Sequence, residues 1–155
     1  MALEVARHQK LIGPKREALD LKIQAIIETA IYVADLDETE TFYRTILGLP
    51  VIAKEPGRHV FFQVGASSVL LAFIADAMLK GDHLPPHGAK GPGHFALGIE
   101  VDALDAWRQK LQENGVAIEK EVEWPRGGKS LYFRDPAGNS VELITPGVWG
   151  LSSGW

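Results

Sequence analysis

Residues 130–144, SLYFRDPAGNSVELI, decide how this chain is read. Leu131, Phe133, Val141, Leu143 and Ile144 are strand formers, and Asp135-Pro136-Ala137-Gly138-Asn139 carries strong turn chemistry. Pro136 fixes its own φ, while Gly138 and Asn139 tolerate positive φ. The stretch therefore reads as two strands joined by a tight turn. Strand alternation places Glu142 on the opposite face from Val141 and Leu143. A mid-strand carboxylate runs against propensity. A solvated outer face explains it if this strand is taken alone.

Outward from that hairpin, the pattern occurs twice. Asp35 to Gly48 and Asp102 to Gly115 each span a helical pattern from a capping Asp to a closing Gly. GLPVI at 48–52 matches GVAIE at 115–119, and VFFQVGASSVLLAF at 60–73 matches LYFRDPAGNSVELI at 131–144. In that register Leu71 is the twin of Glu142. Strands are expected at 23–34, 49–54, 59–64 and 68–74, and again at 94–101, 116–123, 129–134 and 139–145, with a helix after the first strand of each set. A repeat of this kind predicts an α+β fold of two β-α-β-β-β modules. Their sheets join into one cupped, partly open sheet with helices outside.

The expected organisation is an N-terminal extension (1–22), a first module (23–75), a loop or linker (76–93) and a second module with an irregular tail (94–155). The Gly/Pro-rich stretch after residue 75 is long for a compact domain and reads as a linker or functional lid. His83 and His87 within it read first as exposed loop histidines.

Composition bounds the function. A chain of 155 residues builds one domain or two small modules sharing a core. A net charge of −4 leaves no basic footprint for nucleic acid. There is no apolar run near the ~18 residues that a membrane span needs. Residues 1–22 are charged throughout and carry no apolar h-region, so no secretory signal is expected and a cytoplasmic location is the default. The chain has no cysteine, which excludes disulfides, thiolate metal ligands and cysteine nucleophiles.

Three ionisable residues interrupt apolar strands at related positions: Glu28 and His94 in the first strand of each module, and Glu142 in the last strand of the second. A lone buried carboxylate is costly. Two carboxylates and one imidazole converging on a concave face suit one divalent ion among Mn²⁺, Fe²⁺, Co²⁺, Ni²⁺ and Zn²⁺, with positions left for substrate or water. Singly, His94 also reads as a satisfied structural histidine and Glu28 as an exposed strand-edge carboxylate. Tyr132 reads either as a proton donor facing the cup or as packing. Trp107 reads as helix core, and Trp124 and Trp149 as pocket lining or packing. Asp35 and Asp37 read as helix caps.

The segments IETAIYVADLDETETFYRTILGL, GHFALGIEVDALDAW and LYFRDPAGNSVEL resemble the glyoxalase / bleomycin-resistance / extradiol-dioxygenase superfamily, the vicinal oxygen chelate proteins, over about residues 23–145. The resemblance implies metal ligands from the first strand of each module and the last strand of one or both, which here are Glu28, His94 and Glu142. The fourth such position is the apolar Leu71, and the first, commonly His or Gln in the family, is Glu28. Residues 29–49 match the glyoxalase I signature. The extradiol signature also wants a His several residues before Leu131, where this chain has Glu123, Trp124 and Pro125, so ring-cleaving oxygenation is disfavoured. Fosfomycin-resistance transferases of the family need a cationic phosphonate pocket, for which Arg126, Lys129 and Arg134 are the nearby candidates. The expectation is a metal-dependent lyase or isomerase of glyoxalase type on a small substrate with vicinal oxygens, with Glu142 moving a proton and Tyr132 assisting. The rival is a metal-free, ligand-sequestering protein of bleomycin-resistance type. A homodimer is expected, because such half-barrels have open edges and family members usually pair.

Overall fold

The structure is a computed structural model and describes residues 21–81 and 84–155. The extension read at 1–22, apart from Leu21 and Lys22, lies outside the described residues, as does His83. Two four-stranded sheets carry the fold. The first contains β1 (Glu28–Tyr32), β2 (Val51–Glu55), β3 (His59–Val64) and β4 (Ser68–Phe73) in the order β1-β4-β3-β2. The second contains β5 (His94–Gly98), β6 (Ile118–Glu123), β7 (Lys129–Arg134) and β8 (Ser140–Ile144) in the order β5-β8-β7-β6. The pairs β1–β4 and β5–β8 are parallel and the others antiparallel. The architecture is α+β with open sheets, as the repeat predicted. The two ladders are separate, and packing rather than a shared ladder joins the modules.

The repeat extends to the register. Glu28 pairs with Val69 and Ala30 with Leu71, while His94 pairs with Ser140 and Ala96 with Glu142. Glu28 and His94 therefore occupy equivalent places, as do Leu71 and Glu142.

Helix α1 (Leu36–Thr41) runs on as a π-helical turn, Phe42–Ile46. Asp35 caps it: its Oδ1 accepts from the amides of Asp37 and Glu38, both at 2.9 Å. The second half differs. A 3-10 turn, Val101–Ala103, precedes α3 (Leu104–Glu113), and Asp102 lies inside that turn without capping the helix. A short helix, α2 (Ala75–Leu79), opens the stretch read as pure loop. The first strand is also shorter than expected. Residues 23–27 are β-prone, but β4 begins only at Ser68, so the Ile27 carbonyl accepts from the Val69 amide at 2.9 Å and residues 23–26 pair with no strand among the described residues. Ile23 and Ile26 consequently stay 96% and 80% exposed.

One apolar core serves both modules. Ile31, Val60, Phe62, Leu70 and Ala72 face α1, and Leu131, Phe133, Val141 and Leu143 form the matching layer of the second sheet. Tyr43 sits at the seam with no exposure, 5.3 Å from the Phe62 ring and 6.3 Å from the Phe95 ring. Full burial of rings such as Phe62 and Phe133 contributes about 1.5–3 kcal/mol each. Trp107 packs partly buried against this core.

The DPAGN turn does more than reverse the chain. Asp135 is 4% exposed. Its Oδ1 accepts from the Asn139 amide at 2.8 Å, and its Oδ2 accepts from Tyr43 Oη at 2.8 Å and Asn139 Nδ2 at 2.9 Å. Asn139 Oδ1 accepts from the Gly93 amide at 2.8 Å, and Nδ2 donates to the Tyr32 carbonyl at 3.3 Å. The turn thus ties the second module to the π-helical turn after α1 and to β1 of the first. Burial, then the Asp135 charge, pushes the Tyr43 phenol well above its usual range, so it remains a donor. Asp135→Ala is expected to destabilise by about 3 kcal/mol, because it strands a buried phenol and an amide; Tyr43→Phe should cost about 1–2 kcal/mol. Urea unfolding monitored by tryptophan fluorescence checks both. A loss under about 0.5 kcal/mol for Asp135→Ala would remove the tie from the account.

Candidate functional site

Alternation assigns each sheet an inner face, turned away from the helices. On the second sheet that face carries His94, Ala96 and Gly98 of β5, Glu142 and Ile144 of β8, and Ser130 and Tyr132 of β7. His94 Nε2 stands 3.4 Å from Glu142 Oε2. The Glu142 side chain is 6% exposed and that of His94 53%. His94 Nδ1 lies 3.1 Å from the Ser140 carbonyl oxygen. A carbonyl only accepts, so Nδ1 carries the proton, and Nε2 is the nitrogen turned toward the carboxylate.

Glu142 Oε1 accepts from the Ser130 hydroxyl at 2.5 Å, and Ser130 Oγ accepts from Trp124 Nε1 at 2.8 Å. The Tyr132 ring lies 6.1 Å from the His94 ring, nearly parallel to it. Burial, followed by the neighbouring Glu142 carboxylate, raises the Tyr132 phenol above its ordinary value. Tyr132 is therefore a neutral donor near neutral pH.

The C-terminal tail closes one end of this face. Gly147 N donates to the Gly154 carbonyl, and Trp155 lies over Gly98 so closely that a methyl there would come within 2.4 Å of the indole. Trp149 remains 67% exposed, so of the two tryptophans read as pocket lining or packing, Trp124 is the one that reaches the site.

Glu28 is not brought to this pair within one chain. It is exposed at the start of edge strand β1, and among the described residues no three His, Asp or Glu side chains converge as a metal cluster. The inner face of its own sheet is aromatic. His59 stacks on Phe61 at 4.1 Å, and Phe73 meets His87 edge-on at 4.8 Å. Tyr32 Oη lies 2.8 Å from His87 Nδ1. The loop histidine His87 is thus docked onto the sheet rather than exposed. Burial lowers the basicity of His59, whose Nδ1 has no hydrogen-bond partner.

The donor set fits a divalent cation in part. An imidazole nitrogen and a carboxylate oxygen face one another at 3.4 Å, a spacing that suits a cation or a proton between them. The three candidate anchors for a phosphonate are already engaged. Arg126 Nη1 donates to the Trp149 carbonyl, Lys129 pairs with Glu123 at 3.6 Å, and Arg134 bonds Glu119 at 3.0 Å. Lys120 stands opposite Tyr132 on the edge strand β6.

Sequence reading missed Ser130 and the indole N–H of Trp124 as site groups. The one signal was parity: Ser130 lies two residues from Tyr132 and so on the same face.

The chain is similar to several known proteins. A metallothiol transferase FosB from Staphylococcus saprophyticus is 30% identical over 125 residues, 79% of this chain and 78% of the relative. A glutathione transferase FosA from Serratia marcescens is 26% identical over 121 residues, 78% of this chain and 80% of the relative. The crystal structure of a lactoylglutathione lyase from Agrobacterium tumefaciens superposes with a TM-score of 0.79 at 40% identity, covering 83% of this chain and 98% of that one. The family model described as Glyoxalase/Bleomycin resistance protein/Dioxygenase superfamily matches residues 25–143. With that family model matched over most of its length, the chain belongs to the glyoxalase/bleomycin resistance protein/dioxygenase superfamily.

Proposed function

We propose that this chain is a metal-dependent enzyme of glyoxalase type, a lyase or isomerase acting on a small molecule with two neighbouring oxygens. The observation that carries the proposal is the pair His94 Nε2 and Glu142 Oε2, held 3.4 Å apart with the imidazole tautomer set by Ser140. His94, Glu142 and Glu28 of a second copy would hold the ion. Exposed Ile26 and Ile27 beside Glu28 support burial of that edge against another subunit, and a homodimer provides it.

A divalent ion held there supplies a Lewis acid that polarises a carbonyl. Glu142 takes the proton from the carbon beside that carbonyl and returns it to the neighbouring carbon, a 1,2-shift with no net change in protons. Tyr132, kept neutral, donates a hydrogen bond to the oxygen on which negative charge gathers. The aromatic face of Phe61 and Phe73, on the same sheet face as Glu28, would come with Glu28 of the second copy and offer an apolar wall for the remainder of the substrate.

A second reading, thiol transfer to a small electrophile, draws on the FosB and FosA relatives. The engaged state of Arg126, Lys129 and Arg134 weighs against a doubly charged phosphonate as that electrophile. The test is turnover after loading with Mn²⁺, Co²⁺, Ni²⁺ or Zn²⁺. The proposal expects isomerisation of a 2-oxoaldehyde–thiol adduct that EDTA abolishes, and no oxygen uptake with catechols. Thiol addition to an epoxide without isomerisation would install the second reading. Tight ligand binding unaffected by metal, with no turnover, would install sequestration.

A further inference from the structure

We infer that Ser130 and Trp124 are positioning residues that fix which oxygen of Glu142 is offered to the metal. The inference rests on the metal reading above and goes beyond it in assigning a role to two residues outside the ligand set. Ser130 is 1% exposed and Glu142 5% exposed, so neither group can exchange its partner for solvent. The direction of each bond follows from donor inventory. Trp124 Nε1 can only donate, so Ser130 Oγ accepts there and its own proton is free to point at Glu142 Oε1. The hydroxyl thus occupies Oε1, and Oε2 is the oxygen left facing His94.

Without the hydroxyl, Oε1 would be buried with one partner fewer, and the carboxylate torsion, which is broad and two-fold, would be left to the neighbouring Tyr132 hydroxyl. With it, Glu142 presents one oxygen in one orientation, as His94 presents one nitrogen through its bond to Ser140. The two ligands are oriented by the same device, a fixed partner on the atom that does not bind the ion.

The indole is itself held in place. Trp124 N donates to the Gly128 carbonyl at 2.8 Å, and Gly127 N donates to the Trp124 carbonyl at 2.9 Å, closing a tight turn. Gly127 has φ of 107°, a conformation that needs glycine, and a methyl at Gly128 would come within 2.3 Å of Val148. Arg126 reaches the Trp149 carbonyl at 3.0 Å. The order of support therefore runs from the tail to the β6–β7 turn, to Trp124, to Ser130, to Glu142.

The test is Co²⁺ or Zn²⁺ affinity by chelator competition on wild type, Ser130→Ala and Trp124→Phe, with the metal-free melting temperature measured alongside. Ser130→Ala is expected to weaken binding about 10–100-fold, the range for outer partners of metal ligands, and Trp124→Phe by a smaller factor. A Co²⁺ absorption spectrum altered in both variants is expected as well. Trp124 is only half-buried, so its variant decides the matter if Ser130→Ala fails to fold. Wild-type affinity in both variants, with only the melting temperature lowered, would make the chain of bonds merely structural and overturn the inference. A wild type that binds no metal would overturn the metal reading, and this inference with it.

Discussion

His94→Ala and Glu142→Gln are each expected to lower affinity for a divalent transition metal by more than about 100-fold while the protein stays folded. Loss of an outer partner alone costs about 10–100-fold, so loss of a direct ligand from a set of three costs more. The two side chains differ in what they do for the fold. His94 is half exposed and its Nδ1 bonds the Ser140 carbonyl, so its removal disturbs little packing. Glu142 is buried, and Ala there would leave the Ser130 hydroxyl without its acceptor. Gln keeps that acceptor and removes only the charge, which makes it the cleaner variant. Equilibrium dialysis with Mn²⁺, Co²⁺ and Zn²⁺ reads the result, with circular dichroism confirming the fold. Affinity within threefold of wild type in either variant would contradict the assignment.

The second large effect concerns Glu28. The repeat makes it the register twin of His94, yet within one chain it stands exposed and apart from the His94–Glu142 pair. If a second copy supplies it, Glu28→Ala and His94→Ala should each lack activity and metal, but a mixture co-refolded from denaturant should regain about one quarter of wild-type sites. Random pairing makes half the dimers mixed, and each mixed dimer has one site intact of two. A site built within one chain would regain nothing, because every chain then carries a defect. Regain of metal in the mixture, read alongside activity, separates subunit exchange from a change in turnover.

Much of this was legible in the sequence because the repeat constrains it twice. The match of 60–73 to 131–144 set Leu71 against Glu142, and the ladders place those residues at equivalent positions opposite Ala30 and Ala96. Turn residues marked the strand ends because Pro136 fixes its own φ and Gly138 accepts the positive φ, 87°, that the turn requires. What escaped depends on partners distant in sequence. Residues 23–26 have strand propensity, but a strand needs a ladder, and the parallel partner β4 begins too late to supply one. Asp102 looks like Asp35, yet a 3-10 turn takes its place at the helix start. Asp135 read as turn chemistry, and its bond to Tyr43, 92 residues away, has no local signature. Ser130 looked like an ordinary strand residue and Trp124 read as pocket lining or packing; only the meeting of β7, β8 and the β6–β7 turn brings Ser130 beside Glu142 and the Trp124 indole onto Ser130.

Native mass spectrometry of the metal-loaded wild type tests the central claim most directly. The account predicts a species of two 17.0 kDa chains carrying two divalent ions, with the ions absent from His94→Ala and Glu142→Gln. A metal-supplemented wild type without bound ions, or equal metal retention in wild type and both variants, would contradict it.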